Sequence, residues 1–291
     1  MDPGASFDRI VTVDWSANAA PKRGKDSIWA AEAVVATGDV RSANLRTRHA
    51  ASELLVHATC TPGERVLVGV DFSLGFPQGT AAALGLAAPA WTAMWAELSA
   101  RVSDDARNLN NRFSVASDLN AMIGPGPGPF WGCPPSKATD HLTPTKVTCD
   151  PLPQWRTVET VLRSRGWRPF SSWQLTGAGA VGSQSLLGIA AMDRLVAAVR
   201  STGRSVDVWP FTTGFSTPSA DVVLVEIWPT LVDVPDTSRD PWDDRVRDQL
   251  QVESMATQLA SQDLAPLFTP DSAADASRVV LDEEGWVFGV T

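Results

Sequence analysis

Apolar positions along this chain repeat with two periods, and the short one comes first. Residues 9–16 read RIVTVDWS, a short apolar run that predicts a buried strand. Residues 27–36 (SIWAAEAVVA) and 40–47 (VRSANLRT) predict two more strands, with Gly38 and Asp39 as a hairpin turn between them. Helical spacing takes over at 49–60, where Leu54, Leu55 and Ala58 share a side, and Pro62 and Gly63 stop it. Residues 65–73 (RVLVGVDFS) and 221–229 (DVVLVEIWP) predict two further buried strands. Between and after them, helices are expected near 87–103, 155–165, 183–200 and 245–263. The last is amphipathic through Val246, Leu250, Val252, Met255 and Leu259, and 284–290 (EGWVFGV) reads as a short aromatic strand.

The order is three strands that can form an antiparallel meander, then two strands each reached through a helical crossover, which favours parallel pairing. The expected fold is therefore α/β, a mixed five-stranded sheet flanked by helices, in a single domain over 1–291. Residues 77–220 form a large, mostly helical insertion, expected to cap the sheet edge. Its Gly/Pro-rich stretch at 124–135 cannot be a regular helix or a central strand, so it is a long loop, of the kind that is often functional.

Composition narrows the classes. The formal net charge of -9 argues against a strong electrostatic footprint for long nucleic acid. No apolar run reaches the roughly 18 residues of a membrane span. The N-terminal MDPGASFDRI has neither the basic nor the apolar region of a secretory signal. Three cysteines, Cys60, Cys133 and Cys149, form no close pair, so a reducing, cytoplasmic setting is expected.

The candidate chemistry lies at strand ends. IVTVD ends in Asp14, LVGVD in Asp71 and VVLVE in Glu226. A carboxylate there also marks the place where solvent begins, but three repeats of one pattern point to a shared edge, where open α/β sheets bind ligands. Converging carboxylates need a cation or a retained proton. Mg²⁺ or Mn²⁺ suits oxygen ligands, and Asp248, on the helix after the Glu226 strand, completes a set of four acids able to hold two metals.

These motifs, with VDWS, the Leu74-Gly75-Phe76-Pro77 turn after Asp71, VEIWP and the closing EGWVFGV, resemble the RNase-H-like superfamily. Within it the chain is similar to the branch termed domain of unknown function 429, whose members are predicted nucleases. The resemblance covers both ends of the chain and is thin over the insertion. Ser73 stands where such families often have Pro, and Trp228 stands where a His is usual. The resemblance implies metal-dependent phosphodiester chemistry at Asp14, Asp71 and Glu226.

Other residues are weighed against plainer roles. Gly177, Gly179 and Gly182 spell G-x-G-x-x-G before a helix, but no buried strand precedes them and no acid follows at the distance a dinucleotide site needs. The motif is either a packing turn or an anion cradle in which Ser183 and Gln184 add donors. Lys22, Arg23 and Lys25 form a loop that either contacts phosphate or is simply solvated. Asn111 and Arg112, Phe113, Phe130 with Trp131, and Trp173 with Gln174 offer hydrogen bonds and stacking for a base, or close a core of their own. His49 and His57 are too far apart on their helix to chelate, and His141 is isolated, so a covalent nucleophile has no supporting base.

Two readings follow. The first is a metal-dependent hydrolase of phosphodiester or phosphoanhydride bonds, acting on a small nucleotide or short strand. The second is a non-enzymatic domain that binds a small anion or nucleotide at the same edge. ATP-dependent phosphotransfer is a third, disfavoured because kinases on this sheet use two such domains.

Overall fold

The computed structural model describes residues 6–148, 150–177, 179–236, 243–271 and 278–291; Cys149 lies outside them. The strands are β1 (Arg9–Asp14), β2 (Ile28–Val34), β3 (Asp39–Leu45), β4 (Val66–Val70), β5 (Val206–Val208) and β6 (Val222–Glu226). The helices are α1 (Arg48–Thr59), α2 (Thr80–Ala83), α3 (Ala90–Arg101), α4 (Arg112–Ile123), α5 (Thr157–Ser164), α6 (Val181–Ser201), α7 (Arg247–Ser261) and α8 (Ala265–Phe268).

One sheet runs β3-β2-β1-β4-β6-β5. β1, β2 and β3 are an antiparallel meander, whereas β4, β6 and β5 continue parallel to β1. It is a mixed six-stranded sheet, not five-stranded. The extra strand, Val206–Val208, is only three residues long, too short for alternation to register in the sequence.

Two apolar layers cover the sheet. Val11, Val13, Val68, Val70 and Leu224 pack with α1 and α6. Ile10, Leu67, Val223 and Val225 pack with α7 through Val252, Met255, Ala256 and Leu259. Neighbouring residues on each strand join opposite layers, as the two-residue period requires. Each Leu or Val fully buried this way contributes roughly 1.5–3 kcal/mol. Residues 77–220 do more than flank the acid edge: they also supply β5 to the sheet and α6 to a covering layer.

Residues 284–290 are not a strand. They make a single bridge, Glu226 with Val287, supported by Phe288 N–H donating to the Glu226 carbonyl at 2.7 Å. Gly285 (φ 72°) and Gly289 (φ 92°) turn the chain out of the extended region at both ends.

Candidate functional site

Register decides which acids meet. Val13 lies level with Val70, so Asp14 and Asp71, each one residue further on, leave adjacent parallel strands at the same height. Glu226 pairs with Val70, one residue before Asp71. A one-residue offset reverses the face, so Glu226 follows Val70 toward the α6 layer.

There Glu226 is committed to structure. Arg156 grips it with two donors, at 2.8 and 2.6 Å, and the Leu74 N–H donates to it at 3.1 Å. Arg156 also binds Glu159 at 3.0 Å and the Glu284 carbonyl at 2.9 Å. Burial opposes the charge on Arg156, but Glu226 and Glu159 more than offset this and raise its pKa. The expectation that Glu226 is a metal ligand beside Asp14 and Asp71 is therefore corrected. Its carboxylate is the counter-ion of a buried arginine.

Asp14 and Asp71 lie close enough for each to act on the other's titration. Loss of solvent is the main cause that raises Asp14 well above the usual carboxylate range; Asp71, Asp248 and Asp26 add to it. Loss of solvent likewise raises Asp71, to about 7, against the opposing effect of the Trp15 N–H, which donates to it at 2.7 Å. Both shifts favour one retained proton over two adjacent charges, the usual response of close like-charged carboxyls. The Gln184 amide donates to the Trp15 carbonyl and ties α6 to the end of β1.

Asp14 lines a cleft of about 450 Å³ at the carboxyl end of β1, and Asp71 lies behind it, outside the lining. Asp14, Asp26 and Asp248 form its acidic wall. Asp248 accepts the Asp26 N–H at 2.6 Å, which holds Asp26 at φ 54°, a left-handed conformation uncommon for aspartate. Arg112, Gly177, Gly179, Ser183 and Gln184 form the other wall. The sequence reading thus placed residues from four distant segments that do come together.

Several other expected ligand contacts are absent from this cleft. Lys22 pairs with Asp26 on the exposed side at 3.5 Å, and Lys25 does not line it. Asn111 spends its amide on the Ser103 N–H and the Arg101 carbonyl, which fixes the start of α4. Gln174 and Trp131 bridge backbone to backbone, and the Gln174 amide donates to the Thr176 carbonyl. Phe130 is fully buried against Phe76 and Trp173, at ring separations of 5.8 and 4.9 Å. The aromatic loop therefore closes a core and does not face the cleft.

The glycine turn is also not the expected amide cradle. Val181, Gly182 and Ser183 N–H groups donate to the carbonyls of Gly179, Gln174 and Ala180. The first donors of α6 are already used. A Cβ on Gly179 would lie 2.1–2.3 Å from the Phe170 ring, and its φ is +70°, so close packing explains that glycine. Gly177, at φ +88°, has open space apart from the Gln174 amide at 3.6 Å.

Residues missed by sequence reading include Asp26, Trp15 and Arg156. The first two sit next to predicted strand ends, which was the available signal. Arg156 lies at a helix start with no motif around it.

Among the described residues no three His, Cys, Asp or Glu side chains are gathered to hold a metal ion, so the expected four-acid cage is not assembled. Two adjoining carboxyls with an acidic neighbour do fit a hard divalent cation that takes one or two protein carboxylates and completes its shell with water and substrate oxygens, as Mg²⁺ commonly does. Among the described residues no helix is long and apolar enough to cross a membrane. Compared with protein-family models, with curated proteins and with solved structures, the chain matches none.

Proposed function

We propose that the chain is a divalent-metal-dependent hydrolase of phosphodiester or phosphoanhydride bonds in a small substrate, built on an RNase-H-like plan. The carrying observation is the carboxyl pair Asp14–Asp71 at adjacent parallel strand ends, with Asp14 lining a cleft that Arg112 also lines. The run β3-β2-β1-β4-β6, an antiparallel meander continued by parallel strands, supports the RNase-H-like reading.

Mg²⁺ or Mn²⁺, when bound, would supply charge compensation and polarise a phosphoryl oxygen. Asp14 and Asp71 would hold it, with Asp248 near enough to add to the field. The chain's own residues do the rest. The Trp15 N–H keeps one Asp71 oxygen oriented. Arg112 faces the negative charge of the substrate.

The test is turnover of an aryl phosphodiester and of ATP with Mn²⁺, comparing wild type with Asp14→Asn. Metal-stimulated turnover lost in the variant is expected. Equal turnover in both proteins would sink the reading.

The second reading, a binding domain without chemistry, is favoured by the lack of a three-ligand cluster among the described residues. Calorimetry separates the two: no Mn²⁺ uptake at millimolar concentration would select the binding domain.

A further inference from the structure

Among the described residues, every charged side chain lining the cleft is acidic except one. That one is Arg112, the first residue of α4. Its Nε donates to Ser183 Oγ at 3.0 Å and its Nη1 to Asn110 Oδ1 at 2.8 Å. Ser183 is itself fixed, donating to the Leu175 carbonyl at 2.6 Å, and Asn110 donates to the Asn108 carbonyl at 2.9 Å. The guanidinium also lies 4.3 Å over the Phe113 ring. Both acceptors are neutral, and among the described residues no carboxylate pairs with Arg112. Of five N–H donors, two are spent on orientation. The remaining donors include all of Nη2.

A half-buried cation without a counter-ion is costly unless a ligand supplies the charge. Loss of solvent and the nearby Arg48 lower the Arg112 pKa to about 10, with Asp104 opposing, so it stays protonated at neutral pH. A planar fork with fixed orientation suits two oxygens of one tetrahedral anion. Ser183 lies on α6 and Asp248 on α7, which cover opposite faces of the sheet. The anion site and the acids nevertheless line one cleft. Among the described residues the lining offers no ring face for a base: its one aromatic residue there, Trp15, is 0% exposed.

Taking this cleft as the site of phosphoryl chemistry, we propose that Arg112, preset by Ser183 and Asn110, is the receptor for a phosphoryl group on a small carrier that brings no stacked base, such as a sugar bearing a diphosphate or a phosphodiester. This narrows the substrate away from nucleotides and strands, which depend on aromatic platforms.

The experiment is calorimetry on the full chain with inorganic phosphate in EDTA, followed by ribose 5-phosphate and AMP. Wild type, Arg112→Gln and Arg112→Lys are compared, with thermal unfolding of each. Wild type should bind phosphate at millimolar concentration. Arg112→Gln should weaken it by at least about tenfold, and Arg112→Lys should weaken it less, because ammonium keeps the charge but not the fork. If Arg112→Gln does not fold, the lysine variant carries the same comparison. AMP should bind within about threefold of ribose 5-phosphate, since base stacking would add more than that. Unchanged phosphate affinity in both variants, or no phosphate binding by wild type, overturns the receptor. AMP binding more than about tenfold tighter than ribose 5-phosphate overturns the carrier class. Phosphate binding that depends on Arg112 in a protein without Mn²⁺-stimulated turnover would remove the hydrolase reading and leave the receptor standing.

Discussion

Loss of solvent at Asp14 and Asp71 favours their protonated forms, and that changes how the fold responds to pH. Unfolded, Asp71 titrates near 3.8; folded, it titrates at about 7. Between these values the folded chain binds more protons than the unfolded one, so stability falls as pH rises. The penalty is absent below about pH 4 and complete above about pH 7. Asp14→Asn places a neutral donor where the protonated carboxyl stands. We expect it to gain on the order of 1–3 kcal/mol over wild type at pH 8 and little at pH 4. Thermal unfolding of both proteins across that range checks this. A variant equally destabilised at both ends would show that the retained proton is not the cause. Both aspartates were legible in the sequence as strand-end acids. Their coupling was not, because it depends on register between strands 57 residues apart.

Elements meet in this protein through a few buried polar knots. Glu283 accepts the N–H groups of Gly79 and Ala81, at 2.8 and 2.7 Å. Glu284 accepts those of Gln78 and Thr157, both within 2.9 Å. Two adjacent acids near the C-terminal end thus cap α2 and α5. Glu284→Ala should cost about 1–2 kcal/mol in urea unfolding while leaving phosphate affinity unchanged. The Arg156 knot is costlier to break. Glu226→Ala leaves a buried guanidinium short of a partner and should cost about 3–5 kcal/mol. A much smaller loss would mean that water reaches Arg156. Packing between elements is equally tight at Gly188 of α6, where a Cβ would lie 2.3–2.5 Å from the Phe72 ring. Phe72 follows Asp71 and also packs against Trp15, at 5.8 Å between ring centroids. Gly188→Ala should therefore lower stability by about 1–3 kcal/mol and shift the pH profile of unfolding together with it.

At the scale of the molecule, three layers share one sheet, and the long middle of the chain is part of them. Because β5 and α6 both come from residues 77–220, limited proteolysis should release no stable fragment of that region. A protected fragment would mean that it folds by itself. Divalent metal should act on the whole molecule through the acid pair. At pH 8, Mn²⁺ at about 100 times its dissociation constant should add about 2.7 kcal/mol to wild type and much less to Asp14→Asn. Differential scanning fluorimetry reads both. An equal shift in the two proteins would place the ion elsewhere.

The sequence by itself determined most elements and their class. β1, β2, β3, β4 and β6, with α1, α3, α5, α6 and α7, all lie within predicted segments or a residue or two beyond them, because periodic apolar burial is written locally. It also marked Asp14, Asp248, Arg112 and the 177–184 turn, which now line one cleft. Only the tertiary structure decided what each of them does. A one-residue register offset turned Glu226 to Arg156. Carbonyls near the turn consumed the amides at the start of α6, leaving Arg112 as the one guanidinium among the described residues of the cleft. The Phe130 ring was claimed by Phe76 and Trp173. Each outcome rests on a partner far away in sequence, and a local pattern cannot specify which distant group a side chain will meet.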